Sequence, residues 1–192
     1  MRRRILDILV LAIAVSCAPL SAQQRPAPFL GGGPALGTGD LHRDSGTGWA
    51  VSGGLDFPVS TYWGIYFGVS GRYAHVPYNG SFGEATDVSA ALGEIVYRFE
   101  NYVPSATPYL RGGGGIVMQR YDPGSIATRV TTEARPGISA GAGLDINAGS
   151  LAVRIAADFV SSRHGGYVGV QGGIAFPARA SSAPAALRTR AP

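Results

Sequence analysis

The chain has 192 residues, a length that fits one domain, and its 29 glycines and 13 prolines leave little room for long helices and favour sheet. Every basic residue other than histidine is arginine, and the formal charge of +4 sits at the ends. Without Arg2, Arg3, Arg4 and Asp7 at the front and Arg179, Arg188 and Arg190 at the back, ten arginines face eleven acids, which excludes the basic footprint of a nucleic-acid binder.

Met1 to Ala22 carries three arginines, an apolar run from Ile5 to Val15 broken by Asp7, and small residues before Gln23. The run is too short to cross a bilayer as a helix, and its flanks are those of a secretory signal cleaved after Ala22. The alternative is a lipidated N-terminus at Cys17. Cleavage after Ala22 leaves a mature chain without cysteine, hence without disulfide or thiol chemistry. Residues 23–28 are a short N-terminal periplasmic segment.

The first strand candidate, Phe29 to Thr38, is glycine-rich and holds Pro34, which a terminal strand tolerates; Gly39 to Gly46 follows as a polar loop. In the second, Trp49, Val51, Gly53, Leu55 and Phe57 share one face and Ala50, Ser52, Gly54 and Asp56 the other, before a tight turn at Pro58 to Thr61. The third, Tyr62 to Ala74, sets Trp63, Ile65, Phe67, Val69, Gly71 and Tyr73 against Gly64, Tyr66, Gly68, Ser70 and Arg72. A loop from His75 to Glu84 leads to the fourth, Val88 to Phe99, with Ala91, Ile95, Tyr97 and Phe99 opposite Glu94, Val96 and Arg98. Glu100 to Ala106 turns the chain.

The fifth, Pro108 to Tyr121, places Tyr109 and Arg111 opposite Leu110, Ile116 and Met118, and Asp122 to Arg135 is the longest loop. The sixth, Pro136 to Ile146, sets Ile138, Ala140, Ala142, Leu144 and Ile146 against Ser139, Gly141, Gly143 and Asp145; Asn147 to Ser150 is a hairpin turn. The seventh sets Leu151, Val153, Ile155, Ala157 and Phe159 against Ala152, Arg154, Ala156 and Asp158, with a short loop from Val160 to Gly166. The eighth, Tyr167 to Phe176, alternates Val168, Val170, Gly172, Ile174 and Phe176 with Tyr167, Gly169, Gln171, Gly173 and Ala175. Residues 177–192 lack apolar periodicity and are expected to form a disordered periplasmic tail.

Strand after strand, small and charged residues hold one face and aliphatic or aromatic residues the other. That is the pattern of a cylinder with lipid outside and water inside. The fold class is therefore all-β: an eight-stranded antiparallel up-and-down transmembrane β-barrel over residues 29–176. An even strand count returns both ends to one side, and the shorter connections after strands two, four and six place the termini in the periplasm. In that orientation Phe57, Trp63, Tyr97, Phe99 and Phe176 form an aromatic girdle near the periplasmic rim, and Trp49, Tyr73, Phe159 and Tyr167 one near the outer rim.

The stretches Thr61 to Ala74, Glu94-Ile-Val-Tyr-Arg-Phe99 and Gly169-Val-Gln-Gly-Gly-Ile-Ala-Phe176 resemble the small eight-stranded outer-membrane β-barrel family, of the kind of the OmpA transmembrane domain and OmpX. The resemblance implies a Gram-negative outer-membrane location, contact with membrane lipid and lipopolysaccharide, and recognition by the barrel assembly machinery through a terminal strand ending on an aromatic. Here sixteen residues follow Phe176, so that recognition would use an internal signal.

The inward faces hold Asp56, Glu94, Asp145 and Asp158 with Arg72, Arg98, Arg111 and Arg154. In a narrow barrel four acids and four arginines are expected to pair into a network that fills the lumen; a narrow ion pathway lined by these charges is the alternative. His42, His75 and His164 fall in or beside outer loops with Asp40, Asp44, Glu84, Asp122 and Glu133, but no two histidines share ligand spacing in one element, and neither metal nor cofactor is expected. Ser161 or Ser162 beside His164 is the one candidate for lipid A chemistry, and adjacency in sequence supplies neither the geometry nor the orienting group such a site needs. Tyr78, Phe82 and Tyr121 are candidates for contact with an external ligand. The reading is a non-enzymatic barrel with a polar, largely plugged lumen, for envelope integrity or surface interaction; a pore and a lipid A-modifying enzyme are the alternatives. A soluble lipocalin-like barrel would need an apolar interior.

Overall fold

The computed structural model describes residues 26–39, 45–60, 62–79, 84–99, 105–122, 131–163 and 165–176. The expected signal, Cys17, the tail, Asp40, His42, Asp44, Phe82 and His164 lie outside them. Eight strands follow in order: β1 (Ala27–Thr38), β2 (Thr47–Ser60), β3 (Ile65–Pro77), β4 (Ala85–Arg98), β5 (Ala106–Asp122), β6 (Thr131–Ala148), β7 (Leu151–Ser162) and β8 (Gly165–Ala175). Each is antiparallel to the next, and β8 pairs with β1 to close the barrel.

The register fixes the dimensions. From Pro28, cross-strand partners run through Leu55, Val69, Gly93, Gly114, Ile138, Ser161 and Gly166 and return to β1 at Thr38, ten residues further on. With strands ~4.7 Å apart and ~3.3 Å per residue, this stagger over eight strands gives a tilt of about 41° and a radius of about 8 Å. Inward side chains from opposite walls therefore meet.

Polarity is inverted relative to a soluble barrel. Leu30, Ile116 and Ile138 are each at least 60% exposed, whereas Asp56 is 0% and Glu94 1% exposed. The alternation of Val, Ile and Leu with Ser, Gly, Asp and Arg produces this directly, because successive residues of a strand point to opposite faces.

Several boundaries differ from the sequence-based expectation. Pro58 to Ser60 belongs to β2, which absorbs a register shift there, and residues 62–64 form the turn, so Tyr62 and Trp63 lie outside β3. Gly64, at φ 65°, supplies the left-handed backbone of that turn, and its carbonyl accepts from Arg98 N–H at 2.7 Å. β3 runs on to Pro77, and the loop expected from Asp122 to Arg135 shrinks to residues 123–130, because Thr131 to Arg135 pair with Val117 to Tyr121. Connections after β1, β3, β5 and β7 span eight, seven, eight and two residues, and those at the other end four, seven and two.

Wall glycines divide into two kinds. A Cβ on Gly143 would lie 2.5 Å from the Tyr109 ring and 2.7 Å from the Ile155 carbonyl, whereas one on Gly172 or Gly71 meets nothing within 4 Å. Gly143→Ala is thus expected to destabilise the folded barrel by about 1–3 kcal/mol through overpacking, while Gly71→Ala and Gly172→Ala leave it unchanged or slightly stabilised. Urea unfolding midpoints in detergent micelles would rank the three; equal midpoints would mean that Tyr109 does not lie against that wall.

Candidate functional site: a charged lumen under an apolar layer

β2 delivers Asp56, β3 Arg72, β4 Glu94 and Arg98, β5 Arg111, β6 Asp145, and β7 Arg154 and Asp158 into the lumen, every side chain at most 6% exposed. They form one continuous chain of alternating sign. Asp158 Oδ1 lies 3.2 Å from Arg72 Nη1, and Arg72 Nη2 donates to Glu94 Oε1 at 2.6 Å. Glu94 Oε2 lies 3.1 Å from Arg111 Nη2, which reaches Asp56 Oδ1 at 3.3 Å. Asp56 Oδ2 accepts from Arg98 Nη2 at 2.8 Å, and Arg98 Nη1 donates to Asp145 Oδ2 at 3.0 Å. Asp145 is clamped at 2.8 and 2.9 Å by Nε and Nη2 of Arg154, which returns to within 3.7 Å of Asp56.

The side-on pairing of Arg154 with Asp145 is the strongest geometry in the set, two parallel charge-assisted bonds. Glu94 is the hub, because Ser70 and Ser139 also donate to it, each at 2.8 Å. Asp158 is held more loosely: Arg72 Nη1 is near its Oδ1 but lies off the hydrogen-bond direction, so that contact is coulombic. Aromatic faces take up the remaining positive surface. The guanidinium groups of Arg111 and Arg154 lie over the Phe29 ring at 4.6 and 4.5 Å, and Tyr109 and Tyr66 face Arg154 and Arg98 at 4.7 and 4.9 Å. A cavity of about 10 Å³ lies beside Arg154, Tyr109 and Gln171, at the lower limit for one water. Ser52 Oγ donates to Gln171 Oε1 across β1.

Above this network the lumen changes character. Ala35, Ala50, Ala74, Val88, Ala90, Leu92, Val117, Val160 and Tyr167 pack as a buried apolar cluster. The expected polar interior therefore holds for the half nearer Ala27 and Ala175 and is interrupted above it by this layer. Tyr167, expected in the outer girdle, is 0% exposed and points inward: it shares parity with Gly169 and Gln171, and a strand without a bulge cannot turn one residue of such a set outward. Of the other aromatic candidates, Trp49, Tyr97 and Phe176 are outward and more than 40% exposed, and Trp63, in the turn, is 64% exposed. Trp49 and Tyr73 pack at 5.3 Å and Tyr97 and Phe99 at 4.8 Å, while Phe57 is the cross-strand partner of Phe67 and Phe159 that of Ala140.

At the end of the barrel opposite Ala27 and Ala175, Tyr73 Oη donates to Asp87 Oδ1 at 2.8 Å and His75 Nδ1 lies 2.8 Å from the same oxygen. This pair escaped sequence reasoning because only the β3–β4 register makes His75 and Asp87 neighbours. Tyr121 Oη donates to Glu84 at 3.1 Å and packs edge-on to Tyr78. Ser162 Oγ donates to Gly165 O and accepts from Gln119 Nε2, while Ser161 Oγ donates to Ser162 O. Among the described residues no three His, Cys, Asp or Glu side chains gather as metal ligands.

The network makes the two acids unequal. Glu94→Gln leaves Arg72 and Arg111 short of a counter-charge and is expected to cost about 3–5 kcal/mol, the range for breaking a buried pair. Asp158→Asn, with one off-line partner, is expected to cost clearly less. Urea titration of the folded barrel in micelles checks the order; a larger loss at Asp158 would contradict the hub assignment.

No protein-family model matches the sequence, and no curated protein does. Solved structures do. Neisserial surface protein A aligns at TM-score 0.59 and 11% identity, over 79% of this chain and 96% of that one. The N-terminal β-barrel domain of Pseudomonas aeruginosa OprF aligns at TM-score 0.49 and 12% identity, over 80% and 98%. Ail, the attachment invasion locus protein of Yersinia pestis, gives 0.48 and 13%, over 81% and 99%. At such identities the likeness is one of fold: the chain shares the closed eight-stranded architecture of the small outer-membrane barrels.

Proposed function

We propose that this protein is an integral outer-membrane barrel, exported by its N-terminal segment, with both termini in the periplasm, that acts without catalysis in envelope integrity or surface interaction through its outer loops. The carrying observation is the inversion of polarity: eight charged side chains at most 6% exposed inside, and a belt of exposed Leu, Ile, Val and aromatic residues outside. In water that belt would be an aggregation surface; against lipid tails it is the ordinary outer face of a barrel. Lipid and lipopolysaccharide are the partners of the belt, and the barrel assembly machinery is the route to it.

The lumen supports display over transport. Ions would have to pass both the chain of salt bridges and a layer of alanine, valine, leucine and tyrosine, and an apolar constriction of this kind blocks conduction by dewetting. The mature chain folded in detergent is expected to migrate differently on a dodecyl sulfate gel before and after boiling, because closure leaves no strand edge within the belt where unfolding can begin. In planar bilayers it is expected to show no discrete single-channel current. Folding in plain buffer without a heat-dependent shift would overturn the membrane assignment, and regular current steps would favour the pore.

A further inference from the structure

The eight strand ladders are not held alike. Seven run without a missing pair, apart from the register shift at Pro58 and Ser60. Between β8 and β1 the pairing passes from Gly32 and Gly172 directly to Ala35 and Gly169, so Gly33 and Pro34 have no partner on β8. Pro34 has no N–H and cannot donate to the ladder. On its other edge β1 stays paired with β2 through both residues, which face Ala50 and Trp49. Side chains do little to compensate. Gly31 faces Gly173 and Gly32 faces Gly172, so the middle of this seam has no cross-strand side-chain pair, the unit that stabilises a sheet. The β4–β5 ladder is also rich in glycine, but there Glu94 and Arg111 join the two strands at 3.1 Å. Neither β1 nor β8 carries a charged residue. The ion pairs bypass them: Arg154 of β7 reaches Asp56 of β2 at 3.7 Å, and Asp158 of β7 reaches Arg72 of β3 at 3.2 Å. Charge therefore closes the ring from β2 to β7 without β8 and β1. The Ser52–Gln171 hydrogen bond spans the seam from β2, over β1, to β8.

We infer that the β8–β1 seam is a built-in opening line of the native barrel: it parts reversibly around Gly33 and Pro34 while β2 to β7 stay joined through their charges. The parting widens the cavity beside Arg154 and Gln171, whose wall at this seam is Gly31, Gly172 and Gly173. Around that cavity Gln171 Nε2, Arg154 Nη1 and Asp158 Oδ1 are buried without a hydrogen-bond partner. Water reaching them from the open end of the charge network satisfies all three, and the gain offsets part of what the seam loses in backbone bonds. The opening is local. It leaves the salt bridges that hold the rest of the wall intact, so a barrel that resists dodecyl sulfate as a whole still exchanges along this one line. It does not depend on what the outer loops contact.

The test is amide exchange with deuterium, read residue by residue by nuclear magnetic resonance on the mature barrel folded in detergent micelles. Alternate amides of β1 point to β8 and the others to β2, and those of β8 divide in the same way between β1 and β7, so each strand carries its own control. Amides that bond across the seam are expected to exchange at least about tenfold faster than those bonding β1 to β2 and β8 to β7. Leu36 and Val168 are partners across the seam and both face outward, 52% and 38% exposed. A disulfide formed in the Leu36→Cys/Val168→Cys variant should remove the difference, and its reduction should restore it. Pro34→Ala supplies the missing donor and should slow the seam amides while the heat-dependent gel shift stays as in the parent. The inference is overturned if the seam amides of the parent exchange at the same rate as their neighbours on the same strands, if the oxidised variant exchanges as fast as the reduced one, or if Pro34→Ala leaves the seam unchanged.

Discussion

Closure of eight antiparallel strands at a stagger of ten residues imposes a parity rule on the whole chain. Each residue is committed to lumen or exterior by its place in an unbroken alternation, and at a radius of about 8 Å the inward set must also fill its own space. Four acids and four arginines can share that space only because they form a single alternating chain. An isolated carboxylate there would carry a desolvation cost of several kcal/mol, and each link offsets part of the cost of its neighbours. The links join β2 to β4 through β7 across the lumen, so the network exists only in the closed barrel, and its correct formation specifies one register among those a glycine-rich wall would otherwise tolerate.

The lumen is layered along its axis. Nearer Ala27 and Ala175 it is held by charge, with two guanidinium groups over the Phe29 ring; in the middle of the wall it is held by packing of Leu92, Val117, Val160 and Tyr167; at the opposite mouth Gln119, Tyr121 and Glu84 return to hydrogen bonding. Charge tolerates water at the open end, whereas the apolar layer excludes it. The two together separate the ends of the barrel more completely than either would alone.

Strand existence, strand order and the lumen charges were legible in the sequence, since all rest on a period of two that glycine, arginine and aspartate mark clearly on one face. Tyr167 sits near a strand end, where a rim aromatic is expected, but Gln171 and Gly169 in the same set point it inward. The apolar layer is not legible from residue type, because Ala74, Val88 and Val117 look alike whether they face lipid or lumen; only parity counted from Arg72, Glu94 and Arg111 separates them. The extension of β6 to Thr131 was hidden because threonine, glutamate and arginine read as loop chemistry, and a strand that rises out of a bilayer has the same composition as a loop. His75 and Asp87 became partners only through register, which no single-strand pattern encodes.

That last pair also begins a polar row on the outside of the barrel. His75, Asp87, Arg120 and Thr132 are successive cross-strand partners on the outward faces of β3 to β6, a continuous polar line. Two residues below it on each strand lie Tyr73, Ser89, Met118 and Ala134, likewise partners in sequence. From Tyr73 back to Ile65, and from Ser89 on to Tyr97, is eight residues, about 20 Å at the tilt of the strands, close to the ~25 Å apolar band of such barrels. The outward face thus changes from apolar to polar where a bilayer of ordinary thickness would end if the lower aromatics sat at its other surface. Thr131 and Thr132 lie at or beyond that row, where water can reach the backbone; below it a backbone group without a strand partner would find none in lipid.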